Sequence, residues 1–362
     1  MGYTEALGIK PLREALSSHY RKAYGVDVPS GRIMATTGSS AGFNLAFLAA
    51  FDPGDRIVLT APGYPAYRNI IKALGLIPVE VEVGAETRWS LTPDHLDDAQ
   101  KDGPVRGVLV ASPANPTGTM MTAEALSDLI AYCDQAGIWF ISDEIYHGLD
   151  YAGEQKTALE TSQNAIIINS FSKYYCMTGW RIGWMVLPEQ LVRPTERIAQ
   201  SLYISPPELS QIAAASALDA VQELEAVKAG YAANRELLVK GLPEIGFDKL
   251  LPVDGDVVGD AALGSDDEED LPFARQVDLL GDRLTDLVET LLAGRVGLRL
   301  GDRQDLDLGL LRRLEQLGDL GLALGDPLGD VGLTGPDGLH VVGAEELAAL
   351  TADELARDLQ VV

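Results

Sequence analysis

Along residues 33–188 the chain alternates between short, continuously apolar runs and longer stretches in which apolar positions recur every three or four residues. The runs are RIMATT, DRIVLT, PVEVEV, VRGVLVAS, IWFISD, AIIINS and GWRIGWMVL; AGFNLAFLAAF, YRNIIKALG and AEALSDLIAYCDQAG have helical spacing. Strand-length runs without a polar face belong to strands buried on both sides, as in a mainly parallel sheet covered by helices. The pattern predicts an α/β fold. In such sheets ligands gather beyond the C-terminal ends of the strands, so chemistry should be sought just after each run.

Residues 208–242 keep apolar positions at helical spacing and end near Pro243, which predicts one or two helices leading out of the sheet domain. Beyond Lys249 there is no further lysine; Leu, Asp and Gly dominate, and the triplet LGD recurs without a fixed period. The Gly- and Pro-rich run ending at Gly338 predicts loop, with neither helix nor strand. A chain of 362 residues exceeds what one core supports. The expected organisation is an N-terminal segment 1–30, a large domain 31–207, helices 208–242, a smaller C-terminal domain 243–318 and a tail 319–362.

Charge narrows the partners. The net charge is -26, and it is uneven: residues 1–250 carry 20 basic and 29 acidic residues, whereas 251–362 carry 8 and 25. Such a surface repels phosphate backbones and anionic lipid heads, so neither nucleic acid nor a membrane is an expected partner. Two cysteines cannot build a disulfide framework, and the N-terminus lacks an apolar signal core, which together suit the cytoplasm. The four histidines are scattered and no HExxH or CxxC occurs, so no metal site is expected.

Four polar segments follow the apolar runs: TTGSSAG (36–42), ASPANPTG (111–118), SDEIYHG (142–148) and SFSKYYCMTGWRIG (170–183). Taken singly their residues have ordinary roles. Lys173 could snorkel to the surface, Asp143 could cap a helix, and Asn115 and Tyr146 could be turn and core-edge residues. Gly38-Ser39-Ser40-Ala41-Gly42 also spells the G-x-S-x-G of a hydrolase elbow, with Asp143 and His147 or His340 downstream. That reading places the elbow after the first strand, lacks an oxyanion segment and leaves the other three segments without a role.

In combination, NPTG, D-x-x-Y and SFSK followed at eight residues by an arginine resemble the fold type I, class I/II aminotransferases that use pyridoxal 5'-phosphate. The resemblance runs from Gly2 to about Phe247. It implies a PLP-transferase fold: a large domain with a mainly parallel sheet flanked by helices, plus a smaller C-terminal α/β domain. It implies that Lys173 is the Schiff-base lysine and proton shuttle, and that Asp143 pairs with the ring nitrogen. Tyr146 and Asn115 match the pair that hydrogen-bonds the ring's phenolic oxygen. Arg181 matches the phosphate-binding arginine, assisted by Ser170, Ser172 and the Gly38, Ser39 and Ser40 backbone at a helix N-terminus. Tyr64 matches the aromatic that stacks on the ring, with Tyr67 as a neighbour, and Tyr3 the tyrosine that crosses to a partner's phosphate in a homodimer with shared sites.

The sequence also departs from the family. It enters the pattern at Gly2, without the arm that members carry before this segment, and PVDGDVVGD stands where they have a P-x-G-A-F-Y-like run. Arg299, 126 residues after Lys173, is the expected α-carboxylate arginine, with Asn115 as a second substrate contact. Residues 319–362 have no family counterpart. The implied reaction is amino-group exchange between an L-amino acid and a 2-oxo acid by a ping-pong mechanism. The alternatives are β-elimination as a C–S lyase and a fold that has lost catalysis. Neither the amino acid nor the acceptor is legible.

Overall fold

The computed structural model describes residues 2–153, 155–244, 254–255, 331–335 and 338–342. The expected residue Arg299 and most of the expected C-terminal domain and tail lie outside the described residues. The chain divides into two compact units, Met1–Asp266 and Asp267–Val362.

In the first unit the helices are α1 (Lys10–Tyr24), α2 (Ser39–Ala50), α3 (Pro65–Ala73), α4 (Pro93–Gln100), α5 (Ala123–Ala136), α6 (Glu189–Leu202), α7 (Glu208–Ala217) and α8 (Val221–Glu244). The strands are β1 (Ile33–Thr36), β2 (Arg56–Ala61), β3 (Ile77–Glu82), β4 (Val105–Ala111), β5 (Trp139–Asp143), β6 (Ile166–Ser170) and β7 (Gly183–Val186). They form one seven-stranded sheet in the order β1-β7-β6-β5-β4-β2-β3. Every apolar run quoted above supplies one of these strands. The pairs among β2 to β6 are parallel, and only β7 runs against both its neighbours, β1 and β6.

Period-two alternation splits the strands other than β3 between two apolar layers, while β3, at the sheet edge, turns Val79 and Val81 toward one of them. Ile33, Val108, Val110, Ile167 and Val186 pack with Leu12, Leu16 and Tyr20 of α1 and Leu129 and Ile130 of α5. Met34, Leu109, Ile166, Ile168 and Met185 pack on the other side with Phe43 and Phe47 of α2, Ile71 of α3 and Leu191 of α6. The other six strands are thus covered on both faces, as their apolar runs require, whereas the edge strand β3 leaves Ile77, Glu80 and Glu82 exposed.

Three helices escaped the periodicity reading although their boundaries are marked. Helix α1 has Pro at its first turn and ends on Gly25 at φ 69, a left-handed cap. Helix α4 opens on Thr92, which accepts from the His95 N–H while the His95 side chain accepts from the Thr92 N–H, a reciprocal box. Helix α6 begins just past the last predicted strand. The expected exit helices are α7 and α8, and α8 runs to Glu244 with Pro243 inside it. The Gly- and Pro-rich run expected to be loop instead holds a hairpin in the second unit, β8 (Val331–Gly335) paired antiparallel with β9 (Gly338–Val342). Its sequence signal was the Gly-Pro-Asp-Gly of 335–338, a turn tetrapeptide between apolar residues.

Candidate active site

Because β7 is antiparallel to β1 and β6, its first residue meets the last residues of both: Gly183 is in register with Thr36 and with Ser170. The segments after β1, β4, β5 and β6 and the residues before β7 therefore converge on one edge of the sheet, bringing Gly38, Asn115, Asp143, Lys173 and Arg181 to the same margin.

Asp143 ends β5 and is 1% exposed. Its Oδ1 accepts from the Ile145 N–H at 3.1 Å, and its Oδ2 accepts from the Tyr67 hydroxyl. Burial pushes its carboxyl up to about 6, against the pull of those bonds and of the nearby Lys173 charge. Its two hydrogen-bond donors among the described residues are uncharged. A carboxylate held this way can still gain from a cationic partner, which a protonated aromatic nitrogen would supply.

Tyr146 follows in the loop after β5. Its phenolic oxygen accepts from Asn115 Nδ2 at 3.1 Å, which joins the loops after β4 and β5. The exposed Lys173 places Nζ 5.2 Å from the centroid of the Tyr146 ring, and its carbonyl is held by the Cys176 N–H at 2.9 Å. Asp143, Tyr146, Asn115 and Lys173 thus form one constellation.

The third group is an anion cradle. Helix α2 starts at Gly38, with φ 79, and has no side-chain cap, so its first amide N–H groups are open to an acceptor. The Arg181 guanidinium lies against Gly38; a Cβ there would come within 2.5 Å of Nη2. Gly183 packs on the same peptide, and a Cβ on it would meet Ser39 N at 3.2 Å. Arg181 is itself left-handed at φ 47, with Nη1 donating to the Thr178 carbonyl at 3.0 Å. Ser170 Oγ donates to Ser172 Oγ at 3.0 Å and accepts from the Ser172 N–H at 3.1 Å. The residues fit a phosphate: backbone donors on a helix dipole, a guanidinium fork, and glycines that leave room for approach.

The aromatic lid is less enclosed. Tyr64 is the N-cap of α3 and Tyr67 stands three residues on; their rings meet edge-on at 5.3 Å, with Tyr64 43% exposed and Tyr67 buried. Tyr3 is 84% exposed. Its neighbours Gly2 and Thr4 bond Glu208 Oε2 and Ser205 Oγ, fixing the N-terminal strand of chain against the start of α7.

Ser40 lies exposed in the first turn of α2, while His147 is buried and engaged elsewhere: Nδ1 with the Tyr24 hydroxyl at 2.8 Å and Nε2 with the Ser112 carbonyl at 3.1 Å. No Ser40–Asp143–His147 relay is assembled. Burial pushes the His147 imidazole down to about 4 and the adjoining Glu144 carboxyl up to about 8, so both favour their neutral forms at the back of the site. Glu144 accepts from the Ser142 and Thr157 hydroxyls and the Ala158 N–H. Sequence reasoning did not single out Glu144, because a carboxylate in a polar run reads as solvated.

Comparison with known proteins agrees with this geometry. Residues 1–255 match the family model "Aminotransferase class I and II". A valine–pyruvate aminotransferase of Mycobacterium tuberculosis is 50% identical over 259 residues, covering 70% of this chain and 66% of the relative. A (5-formylfuran-3-yl)methyl phosphate transaminase of Methanocaldococcus jannaschii is 33% identical over 256 residues, 69% of this chain and 66% of the relative. Among solved structures, an aminotransferase from Mycobacterium tuberculosis superposes with a TM-score of 0.68 at 50% identity, covering 70% of this chain and 66% of that one. The chain therefore spans slightly less than two thirds of the length of these relatives.

Proposed function

The chain belongs to the class I and II aminotransferases, and from that premise we propose that it exchanges an amino group between an L-amino acid and a 2-oxo acid with pyridoxal 5'-phosphate, the family's cofactor. The supporting observation is the meeting of Asp143, Tyr146, Asn115 and Lys173 beside the Gly38–Arg181 cradle. The reaction runs in two ping-pong halves. Valine and pyruvate, named for the Mycobacterium tuberculosis relative, are the first substrates to test.

Bound there, the cofactor supplies an electron sink that weakens the Cα–H bond of an attached amino acid. The chain's residues supply the rest. Arg181 and the first amides of α2, with Ser170 and Ser172, hold the phosphate. Asp143 holds a proton on the ring nitrogen, and its burial strengthens that pairing by removing competing water. Asn115 and Tyr146 donate to the phenolic oxygen. The Lys173 amine would hold the cofactor covalently and, once free, would accept the substrate's Cα proton on Nζ. The exposed apolar residues Leu202, Ile204, Leu209 and Ile212 adjoin the fixed Tyr3 segment and suit a homodimer face.

The test is borohydride reduction of the full chain after incubation with pyridoxal 5'-phosphate, followed by mass mapping. The cofactor mass should appear on the Lys173 peptide, be absent in Lys173→Ala, and be blocked by prior addition of an amino acid. A folded chain that takes up no cofactor at Lys173 would overturn the proposal. Light scattering tests the dimer, which a monomer at micromolar concentration would exclude.

A further inference from the structure

A second set of contacts lies behind the Asn115–Tyr146 pair, made by Asp254 and Gly255. The Asp254 N–H and the Gly255 N–H both donate to the Gly118 carbonyl, at 3.0 and 2.9 Å, and the Tyr151 N–H donates to the Asp254 carbonyl at 2.8 Å. Asp254 Oδ2 accepts from the Met120 N–H at 3.1 Å and from Arg88 Nη2 at 2.5 Å. Gly255 lies so close to Pro113 that a side chain there would overlap its ring. These two residues are wedged between the turn that carries Asn115 and the loop that carries Tyr146.

The turn has its own closure, with Gly118 N–H bonded to the Ala114 carbonyl at 2.7 Å and Ala114 N–H to the Thr119 carbonyl at 3.0 Å. It is a rigid unit whose tilt is set from outside. Oδ2 of Asp254 is the side-chain oxygen that grips it at Met120, and the Arg88 guanidinium donates to the same oxygen. Asp254 is nearly buried, at 8% exposure, so its charge leans on Arg88 more than a surface carboxylate would.

We propose that Asp254, held by Arg88, is a positioning residue that sets the angle at which Asn115 meets Tyr146, and so the strength of both donors at the cofactor's phenolic oxygen. The proposal rests on the aminotransferase reading for its effect on the cofactor, while the grip itself is independent of it.

Two readouts separate the parts. In the cofactor-free full chain, hydrogen exchange at the Met120 amide should quicken about tenfold or more in Asp254→Ala and less in Asp254→Asn, which keeps an acceptor. Arg88→Met should act in the same direction, and Arg88→Met combined with Asp254→Ala should be no worse than Asp254→Ala alone, because both remove one contact. In the loaded protein, weaker donation to the phenolic oxygen leaves more electron density on the adjoining nitrogen. The midpoint of the pH-dependent visible band should therefore rise by about one unit, a tenfold change in proton affinity. Unchanged exchange in all variants, or strict additivity, overturns the proposal whether or not cofactor binds. Faster exchange with an unmoved midpoint overturns it too, reducing Asp254 to a structural contact. If the wild-type chain shows no such band, the aminotransferase reading fails and the exchange data alone decide whether Asp254 sets the turn. Should Asp254→Ala not fold, Asp254→Asn and Arg88→Met carry both measurements.

Discussion

The hydroxyl of Tyr67 donates to Oδ2 of Asp143, the buried carboxylate that ends β5. The bond ties the third residue of α3 to the centre of the sheet, and it favours the ionised carboxylate against the burial that raises it to about 6. Tyr67→Phe removes that support and leaves the burial. Asp143 should then keep its proton to a higher pH, so affinity for pyridoxal 5'-phosphate should begin to fall at a higher pH on acidification. The expected displacement is about one unit, read from cofactor titrations of both chains between pH 5 and 8. Coincident profiles would show that the hydroxyl does not control Asp143.

Gly38 has φ 79 and no room for a Cβ beside the Arg181 guanidinium. In Gly38→Ala the flexible arginine can swing aside, but φ 79 with ψ 168 is a backbone region that glycine alone adopts readily, so the fold should lose roughly 1–3 kcal/mol. Cofactor affinity should fall as well, roughly 10- to 100-fold, the range expected when a charge-assisted contact of this kind is lost. A lowered melting stability with unchanged cofactor affinity would argue against a cradle.

Glu144 gives a stability signature with an unusual sign. Its folded value of about 8 lies above the ordinary 4.5, so the folded chain holds this proton more tightly than the unfolded one. Its contribution is complete below about 4.5 and is lost as the pH rises to about 8. Glu144→Gln cannot ionise and keeps an acceptor for Thr157 and Ala158. The stability of the variant relative to wild type should therefore climb across that window, by on the order of a few kcal/mol. Urea titrations at four pH values would check it; a difference that stays flat would mean that Glu144 is neutral or solvated throughout.

Tyr146→Phe deletes the hydroxyl that Asn115 contacts at 3.1 Å while leaving the ring beside Lys173. Cofactor should still attach to Lys173, but the midpoint of its visible band should rise and turnover should drop about tenfold or more. Lys173→Ala should lower turnover by several orders of magnitude. If the two variants lost activity equally, the division of roles between the phenol and the amine would be wrong.

The strands were legible because burial on both faces writes itself as apolar runs, and Asn115, Asp143, Lys173 and Arg181 stood out through the NPTG, D-x-x-Y and SFSK resemblance, on segments that an α/β sheet gathers at one edge. What escaped depended on distant partners. Tyr67 was named as a neighbour of Tyr64, but its bond to Asp143 shows only once α3 turns it toward β5. Glu144 looks like a surface polar residue, and only its distant partners Thr157 and Ala158 reveal that it is buried. Asp254 sits in the stretch where the family-like pattern breaks down, so its contacts with Met120 and Arg88 were invisible in one dimension. Arg299 was named from the resemblance, by its place after Lys173, and falls outside the described residues.

The register of Gly183 with both Thr36 and Ser170 makes the connection from Phe171 to Ile182 a fixed-length strap. Lys173 hangs near one end of it and Arg181 near the other, so the reach from the amine to the phosphate clamp is measured out by a single stretch of backbone. One residue added or deleted there could not be absorbed at the surface, as it is in ordinary loops. It would either slide β7 by one position, exchanging Trp184 and Met185 between the two layers, or pull the guanidinium off Gly38. The strap should therefore tolerate changes of residue type at its exposed positions other than Lys173 and Arg181, yet no change of length.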